Sequence, residues 1–175
     1  QSEFNHGATR EYARKQLATD IVVYLTQDAI PVSANLIANL VKPLTERDDV
    51  VVSYGRQIAH EGAGLFEAFP REYNYADREQ IRGIEDVDQY GVYTFFCSNS
   101  CAAYKNAALD EIGGFRAVLT NEDYFAVADL LQKGYKIAYA ADAVVNHSHS
   151  YSLWQEFQRY FDTGYVRAEN PIIQQ

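Results

Sequence analysis

The stretch VVYLTQDAIP, residues 22–31, carries an apolar run straight into a carboxylate, Asp28. A carboxylate at the tip of a strand can hold a hard divalent cation, which in turn can hold a diphosphate. Asp28 can equally cap a following helix. A second acidic pair, Glu122 and Asp123, stands in TNEDY (120–124), where an amphipathic stretch begins. Acids there complement a helix dipole, and one of them placed in a cleft can act as a general base. Adjacent helical residues point about 100° apart, so only one of the two can aim at a given substrate atom. The third candidate is His147 in VVNHSHSY (144–151), which follows an apolar run as Asp28 does. A neutral imidazole is a common metal ligand, and His149 lies on the same side if the strand continues. Such a histidine pair is also common as plain structure. Cys97 and Cys101 sit in an apolar segment and read as buried, unreactive thiols.

These residues need a frame, and its period can be read along the chain. Residues 7–20 read as a helix with Tyr12, Ala13 and Leu17 on one face. IVVYLT (21–26) and VVVSYG (50–55) read as strands buried on both faces. Between them Leu36, Ile37, Leu40 and Leu44 recur at helical spacing, with Pro43 in the last turn. Residues 60–91 form a polar, tyrosine-rich excursion with short helices, in which Phe66, Phe69, Tyr73 and Tyr75 require packing partners. Strand character returns over 92–104, a short helix follows over 106–115, and NEDYFAVADLLQKGY (121–135) is a helix closed by Gly134. Residues 136–148 give one or two strands. A very aromatic helix spans 152–168, with residues to 175 as its tail. Strands alternating with helices indicate an α/β fold with a mostly parallel sheet. In such a sheet the strands that end at Asp28 and His147 are expected side by side at one edge.

The 175 residues suit one domain, 47% of them hydrophobic, which is enough to build a core. A formal net charge of -9 repels a phosphate backbone and argues against general nucleic-acid binding. A phosphorylated ligand on such a chain requires local basic groups or a divalent cation. Two cysteines form no CxxC pair and no disulfide framework. No stretch of about 18 apolar residues spans a membrane, and no signal peptide is visible. The chain contains no Met and starts at Gln1, so a fragment of a longer chain is expected.

In their order, LTQDAIP, FFCSNSCAAYKNAALDEIGGF, NEDYF and GYKIAYAADAVVNHSHSYS resemble glycosyltransferase family 2. Closer still, they resemble its bacterial rhamnosyltransferase-like branch, which builds cell-surface polysaccharides. The resemblance runs from about Asn5 to Tyr165. It implies a Rossmann-like GT-A fold and transfer of a sugar, with rhamnose favoured, from a nucleotide diphosphate donor to a glycan or lipid-linked acceptor. It implies Mg²⁺ or Mn²⁺ on the donor diphosphate, with Asp28 in the second acidic position of a D-x-D-type motif and Thr26 in place of the first. His147 would assist as a second metal ligand. Asp123 matches the base that deprotonates the acceptor, and Glu122 would support it or contact the acceptor. Gln27 and Arg56 are expected to contact the donor diphosphate or the acceptor. The match begins after the β-α-β segment that grips the nucleobase in such enzymes, so an incomplete domain is expected. A cytoplasmic enzyme at the inner face of the membrane is implied. The aromatic stripe Tyr151, Trp154, Phe157, Tyr160, Phe161 and Tyr165 is read either as packing or as peripheral membrane contact. A non-catalytic carbohydrate-binding domain of the same fold is the alternative, favoured by Thr26 and the missing segment.

Overall fold

The computed structural model describes residues 5–118 and 120–168. Along the chain run α1 (His6–Lys15), β1 (Ile21–Leu25), β2 (Ile30–Pro31), α2 (Leu36–Glu46), β3 (Val50–Ile58) and α3 (Leu65–Asn74). They are followed by β4 (Gln80–Arg82), α4 (Val87–Tyr90), β5 (Cys101–Lys105), α5 (Asn106–Glu111), α6 (Glu122–Gln132), β6 (Lys136–Asn146) and α7 (Leu153–Ala168). Turns of 3₁₀ helix at Ile84–Asp86 and Gly91–Phe95 flank α4.

The strands form one sheet in the order β1-β5-β3-β6-β2, with β4 also on β6. The expected α/β class holds, but the sheet is mixed rather than mostly parallel. Among the described residues only β3 and β6 pair parallel; β1–β5, β3–β5, β2–β6 and β4–β6 are antiparallel. The reason is local. β5 runs opposite to β1 and β3 and is inserted between them, and β2 and β4 are short returning strands. β1 is accordingly an edge strand, with Val22 buried and Leu25 exposed, and not a strand buried on both faces. The apolar run over 92–104 is strand only from Cys101 onward, because residues before it turn through 3₁₀ helix.

Side chains of β5 and β6 alternate across the sheet, as a two-residue period requires, while the pairing of β3 with β6 shifts register at Val50/Val52 and Gly55/Arg56. Tyr104, Ile137 and Tyr139 face the layer containing Leu109, Leu130 and Leu131 of α5 and α6. Cys101, Ala103, Ala138 and Ala140 face Leu36, Leu40 and Leu44 of α2 on the other side. The result is a helix-sheet-helix sandwich. The helix expected over 7–20 is shorter than that, and its Tyr12 and Leu17 are exposed. Its buried contacts are instead Gly7 and Arg14. A Cβ on Gly7 would stand 1.8 Å from the carbonyl oxygen of Arg116, so only glycine allows α1 to approach this closely. In the 60–91 excursion Tyr75 is buried, but Phe66, Phe69 and Tyr73 are exposed.

β1, β3 and β6 point the same way, so their C-terminal ends share one edge of the sheet with the N-terminal approach to β5. A cleft of about 610 Å³ opens there.

Candidate active site

Asp28 and His147 meet, but their strands are not neighbours as expected: β5 and β3 lie between β1 and β6. The chain crosses after β1, and β2 then pairs with the end of β6, Ile30 against Asn146. That crossing carries the Asp28 turn over the sheet edge to the residue that follows β6. Asp28 Oδ1 lies 3.4 Å from His147 Nε2, and Asp28 Oδ2 lies 3.7 Å from His149 Nε2. The one ligand atom offered by each residue lies within 4.8 Å of the others. Asp28 does not cap a helix; Asn35 occupies the start of α2.

The protonation of this cluster follows from its neighbours. His147 Nδ1 is 2.9 Å from Oε1 of Gln57, and a carboxamide oxygen only accepts. Nδ1 therefore carries the proton, and Nε2 turns its lone pair toward Asp28. Burial pushes the His147 pKa down to about 4, against the attraction of Asp28, so the ring is neutral near pH 7. The Thr26 hydroxyl beside Asp28 holds that carboxyl below its ordinary range, with His147 and His149 acting in the same direction against partial burial. Two acceptor atoms thus face one another with no proton between them. A divalent cation removes that conflict. Its cis and trans ligands stand about 3 and about 4 Å apart, close to the separations here. One carboxylate and two imidazoles, with the Gln57 carboxamide fixing the tautomer of one ring, would suit a divalent cation, Mn²⁺ better than the harder Mg²⁺. Thr26 is a neighbour of the carboxylate in this set, not a replacement for it.

The acidic pair occupies the opposite end of a chain of hydrogen bonds. Gln57 Nε2 donates to Ser98 Oγ at 2.9 Å, and the next residue, Asn99, binds both acids. The backbone N–H of Asn99 donates to Asp123 Oδ2 at 3.1 Å, and its side-chain amide donates to Glu122 Oε1 at 3.0 Å. Tyr104 donates its hydroxyl to Asn99 Oδ1 at 2.8 Å. The Tyr124 N–H supplies a second bond to Asp123, 2.9 Å from Oδ1. Burial and the adjacent Glu122 charge raise the Asp123 pKa to about 7, despite these two backbone donors. A carboxylate so poised can take a proton near neutral pH. Glu122 is buried and ion-paired with Arg10 at 2.7 Å. It reaches the inner wall of the cleft, where Arg10 and Asn99 tie it to the scaffold. Asn121, just before α6, holds the left-handed conformation at φ 62°, and its buried amide nitrogen has no hydrogen-bond partner among the described residues. Strain and an unpaired donor beside the acidic pair mark a functional position.

Arg56 and Gln27 are not brought together with these groups. Gln27 is exposed, Arg56 lies on β3 opposite Val144, and neither lines the cleft. Strand alternation turns Gln57, not Arg56, toward His147. The cations that do line the cleft are Arg10, Arg71 and Arg159. Arg71 Nε donates to the His147 carbonyl at 2.9 Å. These arginines answer the local basic groups that a chain of charge -9 requires for a phosphorylated ligand. Sequence reasoning missed Arg71, Asn99 and Gln57. Arg71 lies in the polar excursion, and the other two lie inside apolar strand-like runs where a single carboxamide gives no periodic signal. Cys97 and Cys101 are buried, with Cys97 pushed well above the thiol range and Cys101 to about 12 by burial, as expected of inert thiols.

Comparison with known proteins identifies the family and the fold. The chain matches the family described as glycosyltransferase like family 2 over residues 3–163. It is 42% identical over 174 residues to the O-antigen chain rhamnosyltransferase RfbN of Salmonella typhimurium, covering 98% of this chain and 55% of that protein. It is 43% identical over 175 residues to the O-antigen chain rhamnosyltransferase WbaN of Salmonella anatum, covering 99% and 55%. The chain therefore spans about half the length of these relatives. Its fold is similar to that of the mannosyltransferase PcManGT from Pyrobaculum calidifontis, solved with GDP-Man and Mn²⁺. The TM-score is 0.57 at 18% identity, over 84% of this chain and 37% of that one. With the family matched across nearly its whole length, this chain belongs to glycosyltransferase family 2.

Proposed function

We propose that the chain forms a single glycosyltransferase domain, residues 1–175, with 152–175 as its aromatic helix and tail, acting in an inverting glycosyltransferase. The donor is a nucleoside-diphosphate sugar, with rhamnose favoured by the names of the relatives. The acceptor is a bacterial surface glycan or its lipid-linked form. The observation that carries the reading is the half-buried Asp123 carboxylate, fixed by two backbone amides in the same cleft that His147 and His149 line.

In the reaction Asp123 takes the proton from an acceptor hydroxyl as that oxygen attacks the anomeric carbon. The bond from that carbon to the diphosphate breaks on the opposite face, and the nucleoside diphosphate leaves with the bonding pair. Asp28, His147 and His149 would hold Mg²⁺ or Mn²⁺, which supplies positive charge to the leaving diphosphate. Gln57 keeps the His147 lone pair directed, and Arg71 adds a cation beside it. Glu122 and Arg10 hold the start of α6, and so Asp123, in place. No helix among the described residues is long and apolar enough to cross a membrane. The enzyme is read as cytoplasmic, with the exposed aromatic face of α7 against the inner membrane surface where a lipid-linked acceptor is carried.

The test is transfer by the full-length parent protein, supplied with Mn²⁺, dTDP-rhamnose and an O-antigen oligosaccharide. The reading expects a product with the anomeric configuration inverted, seen by NMR. Oligosaccharide binding without dependence on any nucleotide sugar would replace the enzyme with a carbohydrate-binding domain.

A further inference from the structure

A second cleft, about 780 Å³, lies on the far side of the wall formed by Tyr73, Asn74, Tyr93 and Phe96, which line both cavities. Its floor carries Tyr54 and Tyr139, whose ring centroids are 5.0 Å apart. Its rim carries Arg78, Gln89 and Tyr90 from the excursion between β3 and β5. The shared wall is pinned from beneath. Buried Arg82 donates to the carbonyls of Tyr93 and Phe96 and to the Tyr54 hydroxyl, with 2.9 Å to that hydroxyl. Tyr73 stands exposed on the wall with its ring 6.4 Å from that of Tyr93. None of these groups takes part in the chemistry assigned to Asp28, the histidines or Asp123.

We infer that this second cleft is a binding subsite for a glycan chain, holding the sugar units of the acceptor that lie away from the reacting hydroxyl. The inference rests on the glycosyltransferase reading. A pyranose has an apolar C–H face that stacks on a tyrosine ring, and a rim of hydroxyls that bonds planar carboxamides and guanidinium groups. The cleft offers both surfaces: the exposed rings of Tyr73 and Tyr93 on its wall, and Arg78 and Gln89 on its rim. Its rim charges, Arg78 and Glu79, oppose one another, which suits a neutral ligand rather than a nucleotide. The wall is continuous with the cleft of Asp123, so a chain reacting there extends over Tyr73 and Tyr93 into the second cavity. The excursion between β3 and β5 thereby selects acceptor length.

The experiment uses the full-length parent protein and O-antigen oligosaccharides fractionated into one, two and four repeat units. Wild type is expected to gain kcat/KM with acceptor length. In Arg78→Ala/Gln89→Ala, and separately in Tyr90→Ala, the advantage of the four-unit over the one-unit acceptor falls about tenfold, through KM rather than kcat. A length advantage equal to wild type in both variants overturns the subsite, as does a wild type indifferent to length. NMR titration with the four-unit oligosaccharide decides the subsite without activity: weaker binding by both variants supports it, and unchanged binding overturns it. If wild type transfers no sugar to any acceptor while this binding difference persists, the transferase reading fails and the subsite stands.

Discussion

The backbone amide of Asn99 lies 3.1 Å from Oδ2 of Asp123, while the side chain of the same residue holds Glu122 at 3.0 Å. One residue at the entrance to β5 thus sets both acids at the start of α6. The side-chain bond to Glu122 is the part that substitution can remove. Asn99→Ala is expected to lower kcat about 10²-fold, the cost of a misplaced catalytic group, with donor KM little changed. Steady-state kinetics of the full-length protein checks this, and an equal loss in donor binding would argue for general collapse of the site.

The raised pKa of Asp123 ties stability to pH. In the folded protein it binds a proton up to about 7, whereas the unfolded chain releases it near the ordinary aspartate value of 3.8. Between these values the folded state holds more protons than the unfolded state. The contribution of this group to stability is therefore full below about 4 and is lost as pH rises toward 7. Asp123→Asn is expected to flatten that dependence, so that its Tm exceeds that of wild type above pH 7. Thermal melts of both proteins from pH 4 to 8 read the difference; parallel curves would place Asp123 in water. The transfer rate should rise over the same range in which the carboxylate becomes free to accept a proton.

Metal and nucleotide should bind cooperatively, because Asp28, His147 and His149 would fill only part of a divalent cation's shell and a diphosphate would supply the rest. Calorimetric titration of Mn²⁺ into the full-length protein is expected to tighten at least tenfold when a nucleoside diphosphate is present. Asp28→Ala and His147→Ala should each abolish that coupling, and Gln57→Ala should weaken it. Coupling retained in Asp28→Ala would remove this residue from the metal site.

The face of α7 bears Trp154, Phe157 and Phe161, at 64%, 57% and 61% exposure, with Trp154 stacked on Phe157 at 5.4 Å. A surface of this kind calls for an apolar partner. Co-sedimentation with vesicles containing anionic phospholipid is expected for the full-length protein and should fall severalfold when residues 152–175 are deleted. Equal binding by the two forms would exclude α7 as the membrane contact.

Much of this architecture can be read from the chain because period and burial coincide. Leu36, Leu40 and Leu44 mark α2, the apolar runs at 50–55 and 136–146 mark β3 and β6, and NED marks the start of α6. Asp28 and His147 stood out as candidates because each follows an apolar run, and Asp123 because it opens an amphipathic stretch. Strand direction was not legible. Nothing in CAAYK distinguishes an antiparallel insertion from a parallel strand, and the crossing that brings Asp28 to His147 depends on a two-residue strand, Ile30–Pro31. Arg56 and Arg71 are equivalent as isolated letters. Only the fold decides that Arg71 reaches the His147 carbonyl and that Gln57, one place from Arg56, orients the ring.

The central claim is that Asp123 is the base for sugar transfer in this cleft, and transfer by full-length Asp123→Asn tests it most directly. The measurement is the initial rate at saturating donor and acceptor with Mn²⁺ at pH 8, alongside donor binding and a melting curve. A loss of about 10² to 10⁴ in rate, with donor binding and folding preserved, is the predicted result. A rate within a few-fold of wild type would contradict it.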